Sequence, residues 1–424
     1  MNDQIICSID IGTSKIASVV AKLSETEDTP RILGFSSIES AGVKRGQIID
    51  INQVTEKIEA CLEKTERMAG QKINSCYVNI GGPQIESINS AGVVAVSQPD
   101  VEIVEADIDR AIEAAKAISL SQTREIIEVI PREYIVDGQG GIKNPLGMSG
   151  VRLEVNTHII TASHTNIKNI ARCLSDLGIN AKAFVFNGLA CGLSTLTDTE
   201  KELGSVILDI GGGKIDGCVY VEGALAHSFC LPIGARHITN DIAVGLRISL
   251  DSAEKVKLLL SDKNKTEKLD FKKDDLNISS LHLPEGITTI SYKSVVDEII
   301  KPRVDEIFDQ ILKILEEYEL YTLVPSGLII TGGGAATAGI INQAKRVVGL
   351  PARVGLPGQI SGLIDEVIYP QYSSAIGMLI YGKEFESINQ TKGMNFKDFD
   401  RIFRNMSIKG SVKKVADLFK SMIP

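Results

Sequence analysis

The sequence has no apolar run long enough to cross a bilayer; its longest, such as 327–330 leading into Thr331–Gly334, are short and broken by glycine. Met1-Asn2-Asp3-Gln4 carries no basic segment and leads straight into a strand-like run, which argues against a secretory signal and predicts a cytoplasmic protein. The seven cysteines (Cys7, Cys61, Cys76, Cys173, Cys191, Cys218, Cys230) form no C-x-x-C and sit among apolar residues, so they read as reduced core thiols. The five histidines offer no H-E-x-x-H, and His158 and His164 would face different sides of a helix, so no protein-bound metal site is expected from them. A Walker A loop is missing too: Gly213-Lys214 lacks the upstream glycine and the trailing Ser/Thr, and no G-x-G-x-x-G precedes an acidic residue.

What the sequence does contain is an acidic body with a basic end. Its 424 residues exceed one comfortable core, so two lobes are predicted, with 43% hydrophobic residues to fill them. The net charge is −9, yet residues 390–424 hold eight Lys/Arg against three Asp, a net +5 that leaves −14 on the rest. Such a body argues against nucleic-acid binding. Near the end Val412, Val415, Phe419 and Met422 recur at spacings of 3, 4 and 3, flanked by Lys409, Lys413, Lys414 and Lys420. The segment reads as an amphipathic helix lying in the plane of an anionic membrane, and 396–406 repeats the spacing.

Strand-like runs Ile5–Asp10, Ile16–Leu23 and Ile32–Ser36 open the chain as a meander, followed by a helix-period segment over 51–68 and a buried strand at Cys76–Ile80. Between Gln84 and Thr161 strands surround one helix at Glu105–Ile118, which predicts an inserted small α+β subdomain. After helix Asn166–Leu177, strand Ala181–Phe186 and helix Gly188–Leu196, the opening pattern returns as Val206–Asp209, a glycine turn, Gly217–Val221 and Ala224–Leu231. This is an internal duplication. A second insertion from His237 to Val324 carries a long helix at Ser294–Glu317, and after Gly382 no further α/β unit follows.

At the heart of the duplication stand Asp10-Ile11-Gly12-Thr13-Ser14-Lys15 and Asp209-Ile210-Gly211-Gly212-Gly213-Lys214. In each, a strand ends in aspartate and a glycine-bearing hairpin follows, so backbone N–H groups can converge on phosphate oxygens. Asp10 and Asp209 would face the phosphates and hold Mg²⁺, chiefly through its waters. A third strand end, Thr331-Gly332-Gly333-Gly334-Ala335, precedes a helix starting near Thr337 and can cradle adenine and the α-phosphate. One such turn is common. The trio resembles the arrangement of the actin, hexokinase and heat-shock-chaperone superfamily, and Glu254 with Lys257, one turn apart on a helix, resembles its ribose and adenine contacts.

The resemblance sharpens over Ser8–Ser14, Gly42–Asp50, Asn89–Ser97, 129–138, Gly150–Val155, Leu231–Gly234, 237–243, Ala253–Lys257 and Asp365–Met378, and covers residues 1–382. Over these stretches the chain resembles the FtsA family of bacterial cell-division proteins. The resemblance implies an α/β, actin-like two-lobe fold of duplicated ribonuclease-H-like domains, an inserted 1C subdomain and a C-terminal amphipathic helix. Its domains would be 1A (1–83, 162–190 and 365–385), 1C (84–161), 2A (191–236 and 325–364), 2B (237–324) and a linker with membrane-targeting helix (386–424). ATP and Mg²⁺ would bind between the lobes, with at most weak hydrolysis.

Partners implied by the same resemblance are the FtsZ C-terminal tail, further copies in an actin-like polymer, an anionic membrane and other divisome proteins reaching 1C. The place would be the cytoplasmic face of the cell membrane at the septum. Arg303, in Pro302–Ile307, resembles the segment that grips the FtsZ tail. Two positions depart from the family. Lys214 stands where a Ser or Thr usually touches the terminal phosphate, and would put a point charge there. Asn187 stands where Glu or Gln would orient water, and an amide aligns water without serving as a base. A sugar kinase or polyphosphate phosphatase of the superfamily would need a further carboxylate base, and a pilus-assembly adaptor of the PilM type shares the fold but lacks the terminal amphipathic helix.

Overall fold

The computed structural model describes residues 4–24, 29–97, 102–261 and 274–392, with side chains as far as Glu386. Strands Gln4–Ile11, Lys15–Leu23 and Arg31–Glu39 pair antiparallel in one meander, with Ile11 opposite Ile16 across the first turn. Ser75–Ile80 and Asn180–Phe186 extend the sheet in parallel beyond the first strand. Buried residues run on in these strands with little alternation, because helices Ile51–Ala69, Asn187–Thr195 and Ser373–Lys392 cover the sheet.

The second lobe repeats this plan. Ser205–Ile210, Ile215–Val221 and Ala224–Leu231 form the meander, and Leu328–Thr331 and Ala352–Val354 add in parallel. In both sheets the first meander strand is central, so each phosphate turn projects from the middle of its lobe. The third strand end differs in detail from expectation: a tight turn over Gly333–Ala336 intervenes, and the helix is Ile340–Val348 rather than one beginning near Thr337.

Residues between Glu86 and Ser163 build a four-stranded antiparallel sheet with helix Glu105–Ala115 packed on it through Ile108, Ile112 and Ala115. His158 lies in its strand Arg152–Ser163, whereas His164 opens the next helix. The His158 ring is buried between Asn89 Oδ1 (2.7 Å from Nδ1) and Ser228 Oγ (2.9 Å from Nε2). Burial pulls it down to about 3, and the charges of His227 and Arg132 add to the shift. The unfolded chain takes up a proton that the folded chain refuses, so stability falls as pH drops through the ordinary histidine range. At pH 5.5 the loss expected from His158 is about 1.4 kcal/mol relative to neutral pH. Urea melts at pH 7.5 and 5.5 check this: His158→Gln must show a shallower dependence than the parent.

Helices Ala235–Leu246, Leu250–Ser261 and Lys301–Glu317 share an apolar core that includes Ile238, Ile242, Val256, Ile307, Phe308 and Ile311. The last helix is preceded by a π-helical turn, Val296–Ile300. The helix Ser373–Lys392 continues well past Gly382, after which no further α/β unit was expected. Phe385 joins Tyr77 and Tyr381 in a ring cluster, and Glu386 accepts from Tyr77 Oη (2.8 Å) and pairs with Lys182.

Candidate functional site

The two phosphate turns are built alike. Gly12 N–H donates to the Lys15 carbonyl and Gly211 N–H to the Lys214 carbonyl, each at 2.9 Å, closing equivalent hairpins. They meet face to face: a Cβ on Gly212 would overlap Ser14 Oγ, and one on Gly213 would lie 3.0 Å from the Thr13 side chain. Close approach between the lobes thus favours glycine here alongside ligand access. Behind the second turn, Ala235 and Arg236 N–H at the start of helix Ala235–Leu246 donate to the Gly211 and Gly212 carbonyls at 2.9 and 2.8 Å, pinning its backbone.

Asp10 and Asp209 end their strands on either side of this junction and are joined by two amides. Asn79 Nδ2 donates to Asp10 Oδ1 (2.7 Å) and to Asn187 Oδ1 (3.2 Å), and Asn187 Nδ2 donates to Asp209 Oδ2 (3.3 Å). Asn79 is itself fixed by Ile11 N–H on its oxygen at 2.7 Å. Each carboxylate thus commits one oxygen to the bridge. Burial, joined by the charge of Asp209, lifts Asp10 to about 6 against the pull of Lys15, Lys214 and Asn79. Two carboxylates held across a buried seam fit a hard cation, which would favour both in the charged form. Among the described residues no group of three or more His, Cys, Asp or Glu side chains could hold a metal alone, so phosphate and water would complete the coordination.

Asn79 was not singled out in the sequence, although one amide inside the apolar strand Ser75–Ile80 was its signal. Asn187, expected to align water, instead spends its amide between Asn79 and Asp209. Lys214 also departs from expectation: its ammonium pairs with buried Asp216, two residues on, and lies against Gly81 of the first lobe, while its stem lies against Gly46. Lys15 sits with its ammonium 5.4 Å from the Tyr372 ring.

The third turn completes the junction. Thr331 is paired with Asp209, its hydroxyl donates to the Gly355 (3.1 Å) and Pro370 (3.0 Å) carbonyls, and Gly332 (φ 81°, ψ 173°) lies directly against the Asp209 carboxylate. Gly334 abuts Ile210, Ala335 is buried, and Gly333 faces open space.

Two family descriptions match the chain: "SHS2 domain inserted in FTSA" over residues 82–161 and "Cell division protein FtsA" over 206–377. The cell division protein FtsA of Borreliella burgdorferi is 36% identical over 399 residues, 94% of this chain and 95% of the relative. That of Pseudomonas aeruginosa is 33% identical over 386 residues, 91% and 90% of the two chains.

The chain belongs to the FtsA family of cell-division proteins.

Its fold is actin-like. A PilM-PilN type IV pilus biogenesis complex superposes with a TM-score of 0.61 at 15% identity, covering 89% of this chain and 98% of that one. MreB 5 of Spiroplasma citri bound to AMPPNP gives 0.54 at 13%, covering 93% and 100%.

Within this FtsA-family fold, Glu254 and Lys257 form a cluster behind the second phosphate turn. Lys257 Nζ donates to Glu254 Oε2 (2.7 Å) and Thr239 Oγ1 (2.8 Å) and reaches the Ala235 carbonyl at 3.4 Å. Arg303, the expected partner contact, is engaged within the chain. Its guanidinium grips Asp241 through two bonds, Nε to Oδ2 at 2.6 Å and Nη2 to Oδ1 at 3.0 Å, and also pairs with Glu306. A carboxylate from another chain would share it with these two. The apolar stripe Val412, Val415, Phe419 and Met422 lies outside the described residues, and among those described no helix is long and apolar enough to cross a membrane.

Proposed function

We propose that this chain binds ATP between its lobes, polymerises head to tail like actin on the cytoplasmic face of the cell membrane, and recruits the FtsZ ring to the septum. The observation that carries the reading is the seam itself, where Asp10 and Asp209 from duplicated lobes meet through Asn79 and Asn187 between opposed glycine turns. Thr13, Ser14 and Lys15 on one side and Gly212 and Gly213 on the other present backbone N–H groups to the phosphates, in turns closed by Gly12 and Gly211. Gly332, Gly333, Gly334 and Ala335, with Glu254 and Lys257 nearby, frame the nucleoside. Asp10 and Asp209 would hold Mg²⁺, which supplies positive charge between phosphate oxygens and the two carboxylates. The amides of Asn79 and Asn187 hold both carboxylates in place, and with a cation on them neither Asp10 nor Asp209 is free to take a proton from water, which favours slow hydrolysis. Lys214, neutralised by Asp216, ties the second turn to the first lobe rather than marking the terminal phosphate.

In this reading 84–161 is subdomain 1C, the docking module for other divisome proteins, and 237–324 is 2B, the receptor for the acidic, apolar FtsZ tail. The basic stretch after residue 390 is the membrane anchor, each Lys or Arg adding about 1 kcal/mol at an anionic surface. Co-sedimentation with anionic vesicles tests the whole. Wild-type chain with ATP and Mg²⁺ is expected to carry FtsZ into the vesicle pellet, and Asp209→Ala to lose the nucleotide dependence. FtsZ left in the supernatant at saturating wild-type chain defeats the reading.

A further inference from the structure

The inserted subdomain is covalently rooted in the first lobe, leaving it after strand Ser75–Ile80 and returning at helix His164–Ser175. It also rests on that lobe through Ile127, Ile130 and Ile160, which belong to an apolar core that the first lobe shares with Cys218, Tyr220 and Leu225 of the second. Apolar packing of this kind is non-directional and tolerates small rocking movements. To its contact with the second lobe, which includes the exposed Lys143–Glu202 pair, directional hydrogen bonds are added. Ser87 Oγ–H donates to the Ser228 carbonyl at 2.8 Å and accepts from Ser228 N–H at 3.2 Å. Asn89 Nδ2 donates to the Ala226 carbonyl at 3.2 Å, so its oxygen is left to accept from His158 Nδ1–H, and His158 Nε2 accepts from Ser228 Oγ–H at 2.9 Å. Donors and acceptors match one for one on the edge strand Ala224–Leu231, and a slip of the seam by one residue breaks them all.

That edge strand leads straight to the phosphate turn. Cys230 lies opposite Asp216, the partner of Lys214, and the strand's end runs through 232–234 into the helix whose first N–H groups pin the Gly211 and Gly212 carbonyls. Gly81, five residues before the inserted sheet begins at Glu86, lies against the same Lys214 ammonium. We propose that the Ser87–Asn89–His158 surface is a docking interface for the second lobe's edge strand, and that it relays displacement of the second phosphate turn to the inserted subdomain. The subdomain rocks on the lobe that bears it and follows the lobe it is keyed to. For its trigger the relay rests on the nucleotide reading given above.

Hydrogen-exchange mass spectrometry on the full chain tests it. In the parent, ATP with Mg²⁺ is expected to slow exchange at 209–214 and, by at least about threefold, at 86–95 and 224–231. In Ser87→Ala/Asn89→Ala the response at 209–214 persists and that at 86–95 disappears. Ser87→Ala alone, which removes two of the bonds, gives an intermediate loss and serves should the double variant melt early. A parent response confined to 209–214, or a response at 86–95 that survives both substitutions, overturns the relay. Absence of any response at 209–214 overturns the nucleotide reading and the relay with it, a result distinguishable from a signal that stops at the turn.

Discussion

A chain ended after Gly382 is expected to lose its cooperative melt, whereas one ended after Lys392 melts like the parent and no longer sediments with anionic vesicles. Gly382 lies in the middle of helix Ser373–Lys392, and its α-carbon abuts the Tyr77 ring. The residues just beyond it close the first lobe. Phe385 packs with ring centroids 5.8 Å from Tyr77 and 6.5 Å from Tyr381, and Glu386 holds both Tyr77 Oη and Lys182. Losing the half-buried Phe385 ring costs about 1–2 kcal/mol, and leaving the buried Tyr77 hydroxyl without its acceptor adds about 1–3 kcal/mol. With the rest of the helix's last turns lost as well, this is a large share of a stability of about 5–15 kcal/mol. Urea denaturation followed by circular dichroism decides: an unchanged midpoint for the chain ended at Gly382 would mean that the helix beyond it is dispensable. Vesicle binding by the chain ended at Lys392 would place the anchor in the body and defeat the membrane reading.

The same glycine shows where the sequence was legible and where it was not. The meanders, the duplication and both aspartate turns are local patterns, strand runs ending at Asp-Ile-Gly, and each appears in the structure where the residues predict it. The extent of the last helix was not legible, because Gly382 reads as the last residue of the α/β pattern. Its role is steric, like that of Gly377, whose α-carbon meets the Ala190 carbonyl; both let a helix lie tight against its neighbours. Long-range pairs were hidden for another reason. Arg303 and Asp241 are far apart in sequence, so helical spacing can point to Glu306, one turn away, but not to Asp241. Asn79 looked like one polar residue in a buried strand until the second lobe brought Asn187 and Asp209 to it. Lys214 was read against the ligand, yet buried Asp216, two residues on, pairs with its ammonium.

Gly332→Ala is expected to weaken ATP binding at least about tenfold while Gly333→Ala stays within about twofold, although the two glycines are neighbours. Gly332 adopts φ 81° and ψ 173°, a conformation essentially reserved for glycine, at a cost of about 1–3 kcal/mol for any other residue. Its added methyl would overlap Asp209 Oδ1 and stand 2.6 Å from the Ile210 carbonyl, so the carboxylate proposed to hold the cation has to move. A Cβ at Gly333 meets nothing within 4 Å, and its backbone needs no positive φ. Charge can therefore be tested at Gly333 apart from shape. Gly333→Asp places a carboxylate on the open side of the turn, and two unit charges about 4 Å apart repel by up to about 4 kcal/mol at an effective dielectric near 20. Gly333→Asn, of nearly the same size and neutral, is expected to bind ATP close to the parent. Titration calorimetry with ATP and Mg²⁺ separates the cases, with melting curves to confirm that each variant is folded. Parent-like affinity in folded Gly332→Ala would show that Asp209 does not organise the site. Equal affinity for Gly333→Asp and Gly333→Asn would show that no phosphate lies opposite this turn, and the nucleotide would have to be placed elsewhere between the lobes.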